Sequence, residues 1–390
     1  VAARERGLPY LSMAETVGRL FLQGHHSMVV SGTHGKTTTS ALLAWVLHAA
    51  GRRPSFLVGG VLRNFDRSFD LGDGEEFVIE GDEYETAFFD KGPKFLHYRP
   101  RTALLTSVEF DHAEMYRDLE AVKIAFRRFV DLLPPDGLLV VCVDDPNAAA
   151  IASGSRAPVQ TYGIGEGAEW WGRAVQAGPD GVEIEIARAG EPFLRTRTPL
   201  FGPHNLRNAL AVTAAAASRG VAADDIARGL SSFAGVRRRQ EVRGETSGIT
   251  VLDDFAHHPT AVRLTLEGLR QQYGDRRLWA VFEPRTNTTR RSVFQTEYAE
   301  AFDAADRVIV SAVDHPERAP EGERFSAERL VRDLEDRGRW AQYLRTVDAI
   351  VDRVAREGRP GDVVAIMSNG AFGGIHAKLL DALQRRPPAD

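Results

Sequence analysis

Cysteine is nearly absent. Cys142 is the only one in 390 residues, so the chain carries no internal disulfide framework and no cysteine-built zinc site. Lysine is almost as scarce: Lys36, Lys91, Lys94, Lys123 and Lys378 are the only ones among 49 basic residues, so chemistry that demands a lysine has few candidates. No apolar run approaches the ~20 residues needed to span a bilayer, and the N-terminus lacks the apolar core of a signal peptide. Charge of one sign is lacking too. The 49 basic and 54 acidic residues leave −5, which gives no general attraction to nucleic-acid phosphate or anionic lipid. There is no heptad, solenoid period or low-complexity tract, and only the Pro387-Pro388 tail reads as frayed. These absences predict a soluble cytoplasmic protein with no nucleic-acid partner and no membrane insertion. Its 43% hydrophobic and 26% charged content is that of a folded chain, and at roughly 150 residues per domain it predicts two to three domains.

What the chain does have is alternation. Met28-Val29-Val30, Phe77-Val78-Ile79, Ala103 to Val108 and Leu138 to Val143 read as buried strands, with helix-period segments at Thr37 to Ala50 and Leu119 to Leu132. Gly51 stands where a helix favours a left-handed terminator. Such strand–helix–strand order predicts a parallel sheet covered by helices. The Gly- and Pro-rich stretch from Gly165 to Phe201 differs: Val182-Glu183-Ile184-Glu185-Ile186 alternates at period two and predicts a small antiparallel excursion. Helices at Asn205 to Arg219 and Asp224 to Phe233 follow. After Arg237-Arg238-Arg239 the α/β alternation resumes, with strands at Ile249 to Leu252, Leu278 to Phe282, Val308 to Val313 and Val363 to Met367. A domain boundary is placed near residue 245.

The sharpest motif is Ser31-Gly32-Thr33-His34-Gly35-Lys36-Thr37-Thr38-Thr39, between a predicted strand and a predicted helix. A phosphate-binding loop needs that context. Glycines let backbone N–H groups turn toward the anion, the helix start adds partial positive charge, and the lysine neutralises β/γ-phosphate oxygens. Thr37 is placed to hold Mg²⁺ through its hydroxyl. The loop is a shortened G-T-x-G-K-T, because Val30 stands where the common pattern wants its first glycine. Glu80-Gly81-Asp82-Glu83-Tyr84 and Asp111-His112 both follow strand-like runs, and ligands collect at the carboxyl ends of parallel strands. Glu80 and His112 are therefore expected near the same phosphates, as oxygen and nitrogen ligands to a divalent metal.

Further clusters leave more room. In His204-Asn205-Leu206-Arg207-Asn208, Asn205 suits a helix N-cap. The arginine run before Gln240-Glu241 fits either a solvated surface or a phosphoryl-stabilising group. Asp253-Asp254-Phe255-Ala256-His257-His258-Pro259, Glu283-Pro284-Arg285-Thr286-Asn287-Thr288 and Ser368-Asn369-Gly370-Ala371-Phe372-Gly373-Gly374 each follow a strand and are expected to face one cleft. Adjacent histidines point apart on most backbones, which argues against a metal pair at His257 and His258.

Taken in order, the 32–37 loop, Glu80-Gly81-Asp82-Glu83, Asp111-His112, His204-Asn205 and the 253–259 motif are arranged as in the Mur ligase family, which the chain resembles over nearly its whole length. Those enzymes use ATP to join an amino acid or peptide to a UDP-muramyl carboxylate. Residues 82–91, 282–288 and 367–376 make the chain most similar to the murein peptide ligase branch. The L-alanine-adding branch shares the ATP motifs and the Asp-Asp-x-x-His-His-Pro pattern. The resemblance implies a central P-loop-type ATPase domain (26–244), mostly parallel with the antiparallel excursion, then a Rossmann-like α/β domain (245–390). It implies an ATP- and Mg²⁺-dependent ligase joining L-Ala-γ-D-Glu-meso-diaminopimelate to UDP-N-acetylmuramate through an acyl phosphate, in peptidoglycan recycling, as a monomer or weak homo-oligomer. The readings kept beside it are the L-alanine ligase and an ATP- and peptide-binding module without turnover.

The resemblance also implies roles. Gly32, Thr33, His34, Gly35, Lys36, Thr37 and Thr38 would cradle ATP, with metal at Thr37, Glu80 and His112. His204 and Asn205 would hold adenine, Arg239 would reach the γ-phosphate from the end of the central domain, and Asp254 would contact the nucleotide. Catalysis would rest on Lys36, Glu80, His112 and Arg239. His258, Arg285, Asn287, Ser368 and Asn369 would orient the peptide. Three departures stand out. Ser107 occupies a position where the family usually has asparagine. Lys123, the only lysine near the position of a carbamylated lysine found in some members, has a different spacing and reads as a helix-surface residue. No Gly-x-Gly-x-x-Gly precedes the phosphate loop, so residues 1–25 read as the linker remnant of a missing UDP-binding domain.

Overall fold

Apolar β-branched runs become buried parallel strands here because helices cover both faces of the sheet they form. The computed structural model describes residues 5–386, which form two compact units: residues 5–200 with 204–236, and residues 201–203 with 237–386.

The first unit opens with helix α1 (Met13–Leu20), capped by the Ser12 hydroxyl, which accepts from the Glu15 amide. Ala14, Val17 and Leu22 pack into the core, so part of the segment expected to be a linker is built into this unit. Its large sheet is made of β1 (His26–Ser31), β2 (Ser55–Leu62), β3 (Arg67–Asp70), β4 (Glu76–Gly81), β7 (Thr102–Leu105), β8 (Leu138–Cys142), β9 (Val159–Ile164), β10 (Trp170–Gly178), β11 (Gly181–Arg188) and β12 (Glu191–Thr198); β5 (Glu85–Ala87) and β6 (Asp90–Pro93) form a separate hairpin. The order is β12-β11-β10-β9-β8-β7-β1-β4-β2-β3. Strands β2, β4, β1, β7, β8, β9 and β10 run parallel, while β11, β12 and β3 are antiparallel additions at the edges. The antiparallel excursion expected from the 182–186 alternation thus extends the main sheet. It buries Val182, Ile184 and Ile186 while Glu183 and Glu185 turn outward.

Helices α2 (Lys36–Ala49), α3 (Leu119–Val130), α4 (Pro146–Ala152), α5 (Pro203–Ser218) and α6 (Ala223–Ser231) complete the unit. Gly51 follows α2 at φ 78°, the left-handed terminator expected of it.

The second unit has its own sheet: β13 (Glu241–Thr246), β14 (Ile249–Asp254), β15 (Leu278–Phe282), β16 (Arg307–Ser311), β17 (Trp340–Leu344) and β18 (Val363–Met367), in the order β13-β14-β18-β15-β16-β17. All pairings are parallel except β13 on β14. Because β13 pairs there, the unit takes in the chain from Arg237, ahead of residue 245. Successive residues of the central strands face opposite cores. Leu252, Ala280, Phe282 and Val308 lie in one; Val251, Trp279, Val281 and Ile309 lie in the other. Helices α7 (Pro259–Tyr273), α8 (Tyr298–Ala301), α9 (Ala327–Asp336), α10 (Val347–Glu357) and α11 (Ile375–Gln384) surround it. Among the described residues, no helix is long and apolar enough to cross a membrane.

Candidate functional site

The loop between β1 and α2 has the geometry its sequence demands. Gly32 sits at φ 134°, and a Cβ there would lie 2.1 Å from the Thr106 hydroxyl and 2.8 Å from the Ser107 nitrogen. Gly35 starts α2 in the left-handed conformation, with no side chain capping the first turn. The helix start therefore turns its opening backbone N–H groups toward the loop. Neighbouring strand ends pin the loop. Ser31 Oγ donates to Gly81 O (2.6 Å), Thr33 N to Ser107 O (2.9 Å) and His34 N to Ser107 Oγ (3.0 Å), while Thr33 Oγ1 accepts from Glu109 N (2.9 Å). Ser107, the departure from the family's asparagine, thus holds the loop through both its carbonyl and its hydroxyl.

Lys36 folds back over this loop. Its Nζ donates to Gly32 O (2.7 Å) and Thr33 O (3.3 Å) and lies 2.8 and 3.1 Å from the two Glu83 carboxylate oxygens. Burial opposes its charge, but Glu83, Asp82 and Glu80 outweigh that and raise its pKa above the ordinary lysine value. Thr37 Oγ1 donates to Glu80 Oε1 (2.9 Å), and Gly59 N donates to Glu80 Oε2 (2.7 Å). Burial and the Asp82 charge push the Glu80 carboxyl up, against Lys36 and those two donors. A hydroxyl and a carboxylate in contact at the first turn of α2, where the phosphate loop ends, are the oxygen donors Mg²⁺ takes, so Thr37 and Glu80 fit the metal.

His112 sits in the same group but is engaged differently. It adopts φ 53°, with Nδ1 3.3 Å from Glu114 Oε1 and Nε2 3.6 Å from Glu83 Oε1. Burial opposes its protonation, yet Glu114, Glu83 and Asp111 outweigh it and raise the imidazole pKa to about 10. In this arrangement the ring is a cation between carboxylates, and it ligates a metal only by giving one of them up. Glu83 stood in the sequence as one acid of an acidic run. The structure buries it to 2% exposure and holds its carboxyl below the usual range, with Lys36 and His112 overcoming the effect of burial.

The amide pair on α5 reaches this loop too. Asn208 Oδ1 accepts from Thr39 Oγ1 (3.0 Å), and a Cβ on Gly35 would lie 2.8 Å from it; Asn208 Nδ2 donates to Asn205 Oδ1 (3.1 Å). Asn208 is a residue the sequence reading quoted without assigning a role, although its i, i+3 spacing from Asn205 on one helix face was there to read. Burial, with Arg207 and His34 nearby, lowers the pKa of His204 to about 4, so it is neutral at pH 7. Its Nδ1 is buried with no hydrogen-bond partner among the described residues.

In the second unit, the clusters after β14, β15 and β18 meet at the carboxyl ends of adjacent parallel strands. Arg239, expected at the end of the central domain, belongs to this unit and lies with its guanidinium 4.8 Å from the Phe255 ring centroid. Asp254 accepts from Gln240 N (2.8 Å), Ala256 N (2.7 Å) and Thr265 Oγ1 (3.3 Å), so it braces its own loop; burial raises its carboxyl pKa. His258 caps α7 through Nδ1, which accepts from Thr260 N (3.2 Å). Arg285 lies 3.8 Å from both Glu283 and Asp314, with its side chain 38% exposed. Asn287 Oδ1 accepts from Arg290 Nη1 (3.1 Å), and the Ser368 hydroxyl donates to Glu283. Arg238 Nη2 donates to Ser368 O and Gly370 O, both at 2.7 Å, while Asn369 Oδ1 is buried with no hydrogen-bond partner among the described residues. The cluster presents guanidinium and amide groups, the donors that recognise carboxylates.

Comparison with known proteins agrees with both halves. Residues 30–216 match the Mur ligase middle domain, and residues 238–370 match the Mur ligase, glutamate ligase domain. The UDP-N-acetylmuramate--L-alanyl-gamma-D-glutamyl-meso-2,6-diaminoheptandioate ligase of Escherichia coli K12 is 40% identical over 390 residues, all of this chain and 82% of that protein. A UDP-N-acetylmuramate--L-alanine ligase of Salinibacter ruber is 35% identical over 370 residues, 94% of this chain and 76% of that protein. Among solved structures, a murein peptide ligase from Psychrobacter arcticus superposes with a TM-score of 0.72 at 34% identity, covering 99% of this chain and 83% of its own. The chain belongs to the Mur ligase family.

Proposed function

We propose that this chain is an ATP-dependent ligase that joins L-alanyl-γ-D-glutamyl-meso-diaminopimelate to UDP-N-acetylmuramate, returning a wall peptide to the cytoplasmic precursor pool. The observation that carries this reading is the 40% identity, across the whole chain, to the ligase that bears this name. Members of the family are ATP-dependent amide-forming ligases. A muramyl carboxylate oxygen attacks the γ-phosphorus and ADP departs, leaving an acyl phosphate. The peptide's amine then attacks the acyl carbon, phosphate leaves, the nitrogen loses its proton, and an amide results.

An anionic nucleophile approaching a polyanion is repelled, so the protein's work is neutralisation and alignment. Mg²⁺, when held by Thr37 and Glu80, supplies positive charge to the phosphates. In the first unit, Lys36 adds a compact cation beside the N–H groups that open α2, and neutral His204 with Asn205 offers an uncharged polar surface for a purine. In the second unit, Arg285 is the accessible guanidinium for a peptide carboxylate, with Asn287, Ser368 and Asn369 around it.

The test is ADP release with ATP, Mg²⁺ and UDP-N-acetylmuramate, comparing the tripeptide with L-alanine as acceptor. Release that depends on the tripeptide is expected. Release with L-alanine alone would move the chain to the L-alanine-adding branch. ATP binding with no release for either acceptor would leave a binding module.

A further inference from the structure

Lys36 spends its ammonium donors on two backbone carbonyls of its own loop and on one carboxylate. The carbonyls belong to Gly32 and Thr33 and move with the lysine. Glu83 does not. It follows β4, and it is the charged group that ties the lysine to another part of the sheet. Both of its oxygens face Lys36 Nζ, at 3.1 and 2.8 Å, and Oε1 also lies 3.6 Å from His112 Nε2. With 2% exposure, this carboxylate is shielded from bulk water, where its pull on the Lys36 ammonium is stronger than at a surface. Its backbone is fixed in turn: the buried Tyr116 hydroxyl donates to Glu83 O at 2.5 Å.

The two groups Glu83 holds come from separate places, the first residue of α2 and the segment after β7. Of the other acids in the run, Glu80 is already occupied by Thr37 and Gly59, and Asp82 by Lys94. The carboxylates at this strand end therefore divide their work, Glu80 toward the oxygen-donor pair and Glu83 toward the cations.

We propose that Glu83 is a positioning residue for phosphoryl transfer, setting where the Lys36 ammonium and the His112 ring stand relative to the γ-phosphate. This rests on the ATP-ligase reading above. When a nucleotide arrives, Lys36 exchanges one partner for a phosphate oxygen, and Glu83 keeps the ammonium from following the phosphate out of the loop. Because Glu83 acts through the lysine and the ring it holds, its removal affects the rate of transfer more than the hold on ATP.

The experiment compares wild type with Glu83→Gln, which keeps the shape and removes the charge, and with Tyr116→Phe, which removes only the brace on the Glu83 backbone. Two readouts are taken: kcat against ATP KM, using whichever acceptor supports wild-type ADP release, and the ³¹P resonances of Mg²⁺-ATP bound without acceptor. For Glu83→Gln, kcat is expected to fall about tenfold or more with ATP KM within about threefold, the size of effect that follows from losing a charge-assisted contact. The γ-phosphate resonance should move toward that of free ATP while the α-phosphate resonance stays. Tyr116→Phe should shift both readouts in the same direction by less, and it decides the matter if Glu83→Gln does not fold. An unchanged kcat and γ-resonance in a folded variant would overturn the proposal, as would a rise in KM that accounts for the whole loss. Failure of the ligase reading shows in the wild type; failure of this inference shows in the ratio of variant to wild type.

Discussion

Helices α2 and α11 begin alike in the two units: each starts at a glycine in the left-handed conformation, Gly35 at φ 82° and Gly374 at φ 72°, with no side chain capping its first turn. Each lies downstream of a fully or largely buried parallel strand. The charged side chains at the strand ends leading to the two starts differ in kind. In the first unit, Lys36 is set among Glu80, Asp82 and Glu83, with Lys94 on Asp82, the His112 ring beside Glu83 and Asp111 close by. In the second, Arg285 faces Glu283 and Asp314, Arg290 faces Asp314, Arg238 faces Asp253 and donates to Ser368 O and Gly370 O, and His376 in the first turn of α11 lies 3.5 Å from Asp253. The first strand ends carry a lysine among carboxylates, the second carry arginines among carboxylates. Acidic surroundings favour a polyphosphate that arrives with its metal, whereas arginine surroundings favour the carboxylates of a peptide, which bring no cation.

The largest expected effect comes from removing the loop lysine of the first cluster. Lys36→Met should lower ADP release by about 10³-fold, the scale of losing a principal charge on the transferred phosphoryl group. Lys36→Arg should recover little of it, because a planar fork cannot replace a point charge folded onto Gly32 O and Thr33 O. An arginine variant with wild-type turnover would mean that any cation suffices and that the loop's closure on the lysine is incidental.

The same exchange in the opposite direction should act on the other substrate. Arg285→Lys keeps the charge but loses the bidentate fork, so the peptide KM should rise about tenfold with kcat and ATP KM nearly unchanged. Steady-state kinetics with each substrate varied in turn would show this. If ATP KM rose instead, the division of labour between the two clusters would be broken.

Much of this contrast was legible in the sequence, and the parts that were not share a cause. The strands β1, β4, β7 and β8 announced themselves as apolar runs, and the phosphate loop by its glycines and lysine. Strand β2 did not, because Gly59 and Gly60 sit inside it, and glycine reads as a turn. Both are there for close approach: a Cβ on Gly59 would lie 2.9 Å from Glu80 Oε2, and one on Gly60 would lie 2.6 Å from a Val236 methyl. Strand β17 was missed because Trp340-Ala341-Gln342-Tyr343-Leu344 lies at a sheet edge, half-buried and without a continuous apolar run. Glu83 was hidden by its neighbours. In Glu80-Gly81-Asp82-Glu83 nothing local says which acid is drawn inward, since that depends on Lys36 and His112 arriving from elsewhere in the chain. The roles of Asp254 and His258 as braces of their own loops were likewise invisible, because capping and ligand binding call on the same residue types.

The smallest expected effect tests a departure that the sequence did display. Ser107, which the resemblance sets against an asparagine, accepts the His34 N–H through its hydroxyl at 3.0 Å. Ser107→Ala removes that acceptor and leaves the carbonyl's bond from Thr33 N intact. The loop then loses one of its ties, worth about 0.5–1 kcal/mol, so ATP KM should rise two- to fivefold with kcat unchanged. Ser107→Asn puts an amide oxygen, also an acceptor, on a side chain one atom longer, and should bind ATP about as well as serine does. Were alanine to leave KM untouched, the steric lock at Gly32 against Thr106 would be enough to hold the loop. The first unit would then resemble the second more closely, with backbone conformation setting the helix start and side chains supplying only the kind of charged group around it.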